Sequence, residues 1–106
     1  MFLQEAMDFL NGLETKERVK IIYNINKSQF TIDVSLFKKI NINIWEFRTI
    51  YNKKCFRILA FWDLKNLENK LVIATHGFIK KSNKTPNKEI EKAEKIRSEY
   101  LTAHSE

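Results

Sequence analysis

The sequence predicts an α+β domain in which two N-terminal helices pack on an antiparallel sheet of about three to four strands, followed by a C-terminal helix. Three observations support this fold class. Apolar residues recur at helical spacing up to about residue 29, apolar and polar residues alternate between about residues 45 and 79, and a charged segment with helical spacing follows Pro86. The chain has 106 residues, of which 43% are hydrophobic, and this suits a single domain over residues 1–106.

The N-terminal part has the spacing of two amphipathic helices. In the first, apolar residues recur at helical spacing over residues 2–10, until the Asn-Gly pair at 11–12 stops the pattern. In the second, Thr15 is the expected N-cap of a helix that runs to about Gln29, with Val19, Ile22 and Ile25 among its inward-facing residues. These patterns predict two short helices at the start of the domain.

The middle of the chain has the pattern of an antiparallel meander. Its predicted segments are, in order, a strand at 45–51, a tight turn at 52–54, a strand at 55–64, a polar turn at 65–69 and a strand at 70–79. The apolar alternation changes phase between Ile44 and Trp45, which indicates a turn or bulge there. Gly77 indicates a close approach or a bulge in the last strand. Beyond it, Pro86 suits the first turn of the C-terminal helix, with Thr85 as the expected N-cap.

Strand alternation places two arginines on one face of the predicted sheet. In the first strand Arg48 points away from Trp45 and Phe47, and in the second Arg57 lies among the odd-numbered residues. If the helices cover the Trp45/Phe47 face, the two arginines share the open face. Whether His76 of the last strand joins them depends on a register that the sequence does not fix. A strand arginine is more often solvated or salt-bridged than catalytic, so that alternative stays open.

The charge of the chain favours an anionic partner. The net charge is +6 with a pI near 9.5, although lysines supply most of it, and a nucleotide bias of the genome can enrich lysine. The placement of the charge is more informative than its sum. Lys80, Lys81 and Lys84 cluster where the last strand meets the C-terminal helix, as a phosphate-binding surface requires. The alternative is an ordinary solvated loop.

The composition also bears on location and cofactors. Cys55 is the single cysteine, which excludes an internal disulfide and a thiolate metal cluster and fits a reducing cytoplasm. The N-terminus lacks the pattern of a signal peptide, and nowhere do eighteen apolar residues run together, so we expect a cytoplasmic protein without a membrane partner. Because Glu46, Asp63 and Glu68 form no clustered carboxylate set, no metal or other cofactor is expected.

Three strings together carry a family resemblance. They are His-Gly-Phe-Ile-Lys-Lys at 76–81 leading to Lys-Thr-Pro at 84–86, Trp-Glu-Phe-Arg at 45–48, and Phe-Arg-Ile-Leu at 56–59. From about Glu5 to Leu101, the chain resembles the RelE/HigB-like toxins of type II toxin-antitoxin pairs, in the branch related to a phage-derived protein family. The resemblance implies a ribosome-dependent endoribonuclease that cuts messenger RNA without a metal and is neutralised by a cognate antitoxin, expected to be a helix-turn-helix protein.

The resemblance also implies roles for individual residues. Arg57 is the expected principal phosphate contact and Arg48 its partner, while His76 is a lesser candidate for general acid or base. Lys80 and Lys84 are candidates for substrate positioning or proton transfer, and together with Lys81 for binding RNA and the ribosome. In this chemistry an RNA 2′-hydroxyl attacks the adjacent phosphorus, so the protein must neutralise charge and exchange protons.

Two other functions and one structural departure stay open. The first alternative is a ParE-like toxin that inhibits gyrase by protein binding and cuts nothing, and the second is a non-catalytic RNA-binding remnant. Members of the family usually begin with a β-strand, whereas here the helical pattern starts almost at Met1. We therefore expect either an unpaired sheet edge or an edge paired by a partner or by a second copy in a homo-oligomer.

Overall fold

The computed structural model describes residues 1–65, 70–81 and 84–104, and it has the predicted α+β architecture. Its elements are α1 (Gln4–Asn11), α2 (Thr15–Ser28), β1 (Phe37–Lys39), β2 (Trp45–Tyr51), β3 (Lys54–Asp63), β4 (Leu71–Lys80) and α3 (Asn87–Ala103). The strands described form one antiparallel sheet in the order β1-β2-β3-β4. Within these residues, no helix combines the length and the apolar character needed to cross a membrane.

Helices α1 and α2 cover one face of the sheet. Leu10 of α1 and Ile21 of α2 pack against Phe56 and Ile58 of β3, and all four are almost completely buried. Phe47 of β2 belongs to the same cluster, which confirms that the helices cover the Trp45/Phe47 face. Full burial of one such side chain contributes about 1.5–3 kcal/mol, so this core fixes which face of the sheet is turned toward the helices.

Helix α3 packs on part of the opposite face. Ala93 of α3 lies in a second buried cluster with Leu59 and Phe61 of β3 and Ile73 of β4. Ile44, which precedes β2, closes this cluster. The first turn of α3 therefore lies beside the strand residues that carry the predicted site.

Two predicted turns and the predicted close approach at Gly77 are present in the structure. Asn52 and Lys53 have φ values of 52° and 63°, as a two-residue hairpin turn between β2 and β3 requires. The predicted turn before Trp45 is confirmed, because the Ile40 N–H donates to the Ile44 carbonyl at 2.8 Å. At Gly77 an added Cβ would lie 2.2 Å from the ring of Phe9, which confirms the close approach.

The bulge in β4 lies two residues before that glycine. Leu59 pairs with His76 and Ala60 with Ala74, so Thr75 is the extra residue. Its hydroxyl donates to the Leu59 carbonyl at 3.2 Å. The predicted polar turn at 65–69 lies largely outside the described residues.

Two helix starts differ from the prediction. Glu14, not Thr15, is the N-cap of α2, and Glu17 completes a capping box by accepting the Glu14 N–H at 3.0 Å. Pro86, not Thr85, occupies the N-cap position of α3. The Thr85 hydroxyl donates instead to Glu46 of β2, a contact between segments far apart in sequence.

The inward stripe of α2 is as predicted at Ile22 and Ile25, which pack against the core, but the prediction is wrong at Val19. Val19 is 60% exposed, whereas Ile21 is 1% exposed. Glu17 and Asn24 lie buried on the same side as Ile21, and the Asn24 amide donates to Thr49 of β2 at 3.1 Å. The stripe therefore contains two polar residues whose hydrogen bonds make their burial tolerable.

The first three residues pair with the free edge of β4. Phe2 forms a parallel bridge with Ala74, the Leu3 N–H donates to the Ala74 carbonyl at 3.0 Å, and the Ala74 N–H donates to the Met1 carbonyl at 2.8 Å. The Met1 amino group donates to the Val72 carbonyl at 2.9 Å. The expectation of an unpaired edge, or of one paired by a partner, is therefore wrong along Val72 to Ala74, because the chain supplies its own short strand there.

Candidate functional site

A cationic cleft of about 340 Å³ lies between the edge strand β1, β2, the end of β4 and the first turn of α3. Of the nine lining residues that the structure describes, five are basic and none is acidic. The basic residues are Lys38, Lys39, Arg48, Lys80 and Lys84. A cleft lined by one sign of charge raises the local concentration of ions of the opposite sign. The cleft is therefore suited to a phosphate-bearing ligand.

The sheet register brings the two predicted arginines together. Arg48 of β2 pairs directly with Arg57 of β3, which confirms that both lie on the face opposite the Phe47 core. That face is not open at Arg57, which is only 6% exposed, whereas the Arg48 side chain is 23% exposed. The expectation that Arg57 lies on an open face is therefore wrong. Arg48 lines the cleft, whereas Arg57 does not.

Glu46 holds this pair of like charges together. Its side chain is fully buried, and its Oε1 lies 3.0 Å from Arg48 Nε and 3.2 Å from Arg57 Nε. Its Oε2 accepts the Thr85 hydroxyl. Like charges directly opposite each other in a sheet repel, and a carboxylate between them offsets that repulsion. Glu46 therefore fixes the Arg48 guanidinium at the wall of the cleft.

Arg57 lies beneath the cleft. Its Nη1 donates to the Phe56 carbonyl at 3.3 Å, and its buried Nε has no hydrogen-bond partner among the described residues, although Glu46 Oε1 lies close enough for an ion pair. Burial lowers the pKa of Arg57, and the charge of Glu46 opposes that shift. Because an arginine remains protonated in proteins, Arg57 contributes a permanent positive charge under the cleft.

Lys80 brings a titratable amine to the cleft wall. Burial and then the neighbouring Arg57 guanidinium lower its pKa below the ordinary lysine value, while Glu46 acts in the opposite direction. A lowered pKa raises the fraction of neutral amine, which can accept a proton. Of the other predicted lysines, Lys84 lines the cleft, whereas Lys81 is exposed and is not among the lining residues.

His76 lies on the same face but outside the cleft. It pairs with Leu59 and is 3% exposed. Its Nδ1 lies 3.0 Å from the Thr75 hydroxyl and its Nε2 3.2 Å from Glu89 of α3. Burial, followed by the charge of Lys92, lowers its pKa. These contacts give His76 the role of linking β4 to α3.

The cleft contains residues that sequence reasoning missed. One of them is Glu46, whose position two residues before Arg48 on the same strand face is a signal for an ion pair. Lys38 and Lys39 had no signal, because β1 was not predicted at a definite position. In the described part of the chain, no three His, Cys, Asp or Glu side chains come together as metal ligands.

A comparison with known protein families gives a match over most of the chain. No significant match to the chain was found among curated proteins or among solved structures. The sequence profile of the family described as Phage derived protein Gp49-like (DUF891) matches residues 8–98, which include all four strands. The chain therefore belongs to the Phage derived protein Gp49-like family, a RelE/toxin-like family of toxin-antitoxin systems.

Proposed function

We propose that this protein is the toxin of a type II toxin-antitoxin pair and acts as a ribosome-dependent, metal-independent endoribonuclease on messenger RNA. Family membership supports the toxin class. The observation that carries the proposal is the cleft, whose described lining residues include five basic and no acidic ones. Its arginine and its lysine of lowered pKa are the two kinds of group that phosphodiester cleavage needs.

The proposed chemistry is an attack by the RNA 2′-hydroxyl on the adjacent phosphorus. The 2′-oxygen loses its proton as it bonds to phosphorus, and the bond to the 5′-oxygen breaks when that oxygen takes up a proton. The products are a 2′,3′-cyclic phosphate and a 5′-hydroxyl. The Arg48 guanidinium suits the two phosphoryl oxygens, because its planar fork matches their geometry. Lys80 is assigned the proton exchange.

The other candidate residues take supporting roles. Arg57 stabilises the charge distribution from below and, through Glu46, holds Arg48 in place. Lys84 is assigned to binding the RNA backbone, as are the two lysines of β1. His76 has no part in the proposed reaction, because both of its ring nitrogens are engaged by neighbouring side chains away from the cleft.

A second candidate function rests on an exposed apolar segment. Phe30, Ile32 and Val34, between α2 and β1, are 86%, 104% and 66% exposed. Large apolar side chains exposed together mark protein-binding surfaces. Such a segment suits a cognate antitoxin in the leading proposal. It equally suits a ParE-like toxin that inhibits gyrase by protein contacts and cuts nothing.

Induced expression without antitoxin tests these proposals. We expect growth arrest and new messenger RNA ends within translated regions. Arg48→Ala should abolish both, whereas Arg18→Ala on α2, outside the cleft, serves as the matched control. Growth arrest with intact messages and rising DNA-damage signalling would support the gyrase inhibitor instead. Normal growth in the presence of folded protein would identify a non-catalytic remnant.

A further inference from the structure

A second cleft of about 400 Å³ adjoins the cationic cleft at the end of the sheet. Both tryptophans of the chain, Trp45 at the start of β2 and Trp62 near the end of β3, line it. Their rings are nearly perpendicular, with centroids 6.4 Å apart and an interplanar angle of 84°. Both indoles are only partly buried, so each keeps surface that a ligand can reach.

The orientation of these rings is fixed by packing. Trp45 stacks on Phe37 of β1 with centroids 4.8 Å apart, and the Trp62 ring meets the same phenylalanine edge-on at 6.4 Å. Phe37 in turn stacks on Phe47 of the core. The indole walls are therefore held in place before any ligand binds, which lowers the entropy lost on binding.

The charge around the tryptophans has the same sign as in the first cleft. Lys39, Lys70 and Arg97 line the second cleft, and none of its described lining residues is acidic. Lys39 lines both clefts. Lys39 thus connects the basic residues of the two clefts.

We propose that the second cleft is a nucleobase subsite for single-stranded RNA, which stacks a base on the indole walls while Lys70 and Arg97 contact the flanking phosphates. Cationic grooves with aromatic side chains are the means by which proteins hold single strands without pairing. The inference deepens the proposed function and rests on it, because the RNA is the one cut in the first cleft.

The placement of both tryptophans in this cleft supplies a specific probe. Since both tryptophans of the chain line this cleft, intrinsic tryptophan fluorescence reports on it, and Trp45 lies in this cleft while Trp62 also lines two neighbouring ones. A fluorescein-labelled single-stranded oligoribonucleotide is titrated with the full chain to measure binding by anisotropy. The unlabelled oligonucleotide is then used to measure tryptophan emission. Quenching that saturates at the same concentration as the anisotropy is the expected result, because a stacked base quenches indole emission.

An oligonucleotide with abasic sites separates stacking from charge. It carries the same phosphates, so it should bind without quenching and more weakly by about fivefold to a hundredfold for each lost stacked base. Lys70→Gln and Arg97→Gln should each weaken binding and flatten its salt dependence, by a slope of about 0.7 per phosphate contact. Lys95→Gln, on the same helix as Arg97 but outside both clefts, should change neither.

The outcomes separate this inference from the proposed function. Saturable anisotropy with unchanged tryptophan emission would overturn the subsite and leave the endoribonuclease proposal standing. Equal quenching by the abasic oligonucleotide would overturn base stacking. No anisotropy change with ribosome-free or ribosome-bound RNA would overturn both proposals.

Discussion

Replacing Arg57 by alanine should destabilise the fold, because it removes one partner of a fully buried carboxylate. Removing one partner of a buried ion pair costs about 3–5 kcal/mol when the other is left without compensation. In this variant Glu46 still has two partners, which are the Arg48 guanidinium at 3.0 Å and the Thr85 hydroxyl. We therefore expect the free energy of unfolding to fall by about 2–3 kcal/mol, or the Tm by about 10–20 °C for a domain of this size.

Urea unfolding followed by circular dichroism measures this change. Arg48→Ala should cost less, about 1 kcal/mol, because its side chain is partly solvated and Arg57 remains beside Glu46. In the Arg57→Ala background, Glu46→Gln should restore part of the lost stability, because it removes the charge that has lost a partner. A double-mutant cycle of these two changes should give a coupling free energy of about 1–3 kcal/mol.

Cleavage is compared at a temperature where every variant is folded. Arg57→Ala should still reduce cleavage by about tenfold or more, because the loss of a charge beneath the site and of the fixed Arg48 geometry removes at least about 1.4 kcal/mol of transition-state stabilisation. An Arg57→Ala protein with unchanged stability and full cleavage would refute the assignment of Arg57 to the Glu46 network and to the site.

Three further predictions concern pH, salt and packing. Because burial lowers the pKa of His76 in the folded state, the unfolded chain binds more protons below about pH 6.5, and stability should fall as the pH drops through that value. His76→Gln should flatten this pH dependence of the unfolding free energy, and equal slopes in the wild type and His76→Gln would contradict the reasoning. Lys84→Gln should reduce the salt dependence of RNA binding by a slope of about 0.7, whereas Lys81→Gln, outside the cleft, should have little effect, and the reverse order would contradict the cleft boundary. Gly77→Ala should lower stability by about 1–3 kcal/mol in thermal unfolding, since its methyl group would overlap a phenylalanine ring of α1, and a wild-type Tm would refute the close approach.

Local sequence patterns predicted strands β2, β3 and β4 and the shared face of the arginines, but not the position of β1. Period-two alternation carries that information, because successive side chains of a strand point to opposite faces. The register that sets Arg48 opposite Arg57 follows from the hairpin turn at Asn52 and Lys53. The burial of Arg57 did not follow, because it depends on how segments distant in sequence pack over that face.

Helix starts and the α2 stripe were predicted less well, for two physical reasons. Thr85 is of a residue type that favours the N-cap position, but its hydroxyl donates instead to the buried carboxylate of Glu46, 39 residues away. In α2 the inward stripe also includes Glu17 and Asn24, and apolar spacing does not predict the burial of polar residues. Their burial depends on Lys54 and Thr49 of the sheet, which supply an ion pair and a hydrogen bond. Because these partners are distant in sequence, the local pattern of apolar residues does not reveal them.

Cleavage of a defined message on purified ribosomes tests the central claim most directly. Ribosomes programmed with a single short message are incubated with the wild-type protein, with Arg48→Ala and with Arg18→Ala, and the ends of the RNA are analysed chemically. The account predicts 2′,3′-cyclic phosphate and 5′-hydroxyl ends with the wild type and Arg18→Ala, only when the ribosome is present, and none with Arg48→Ala. An intact message with wild-type protein bound to the ribosome, or equal cleavage by Arg48→Ala, would contradict it.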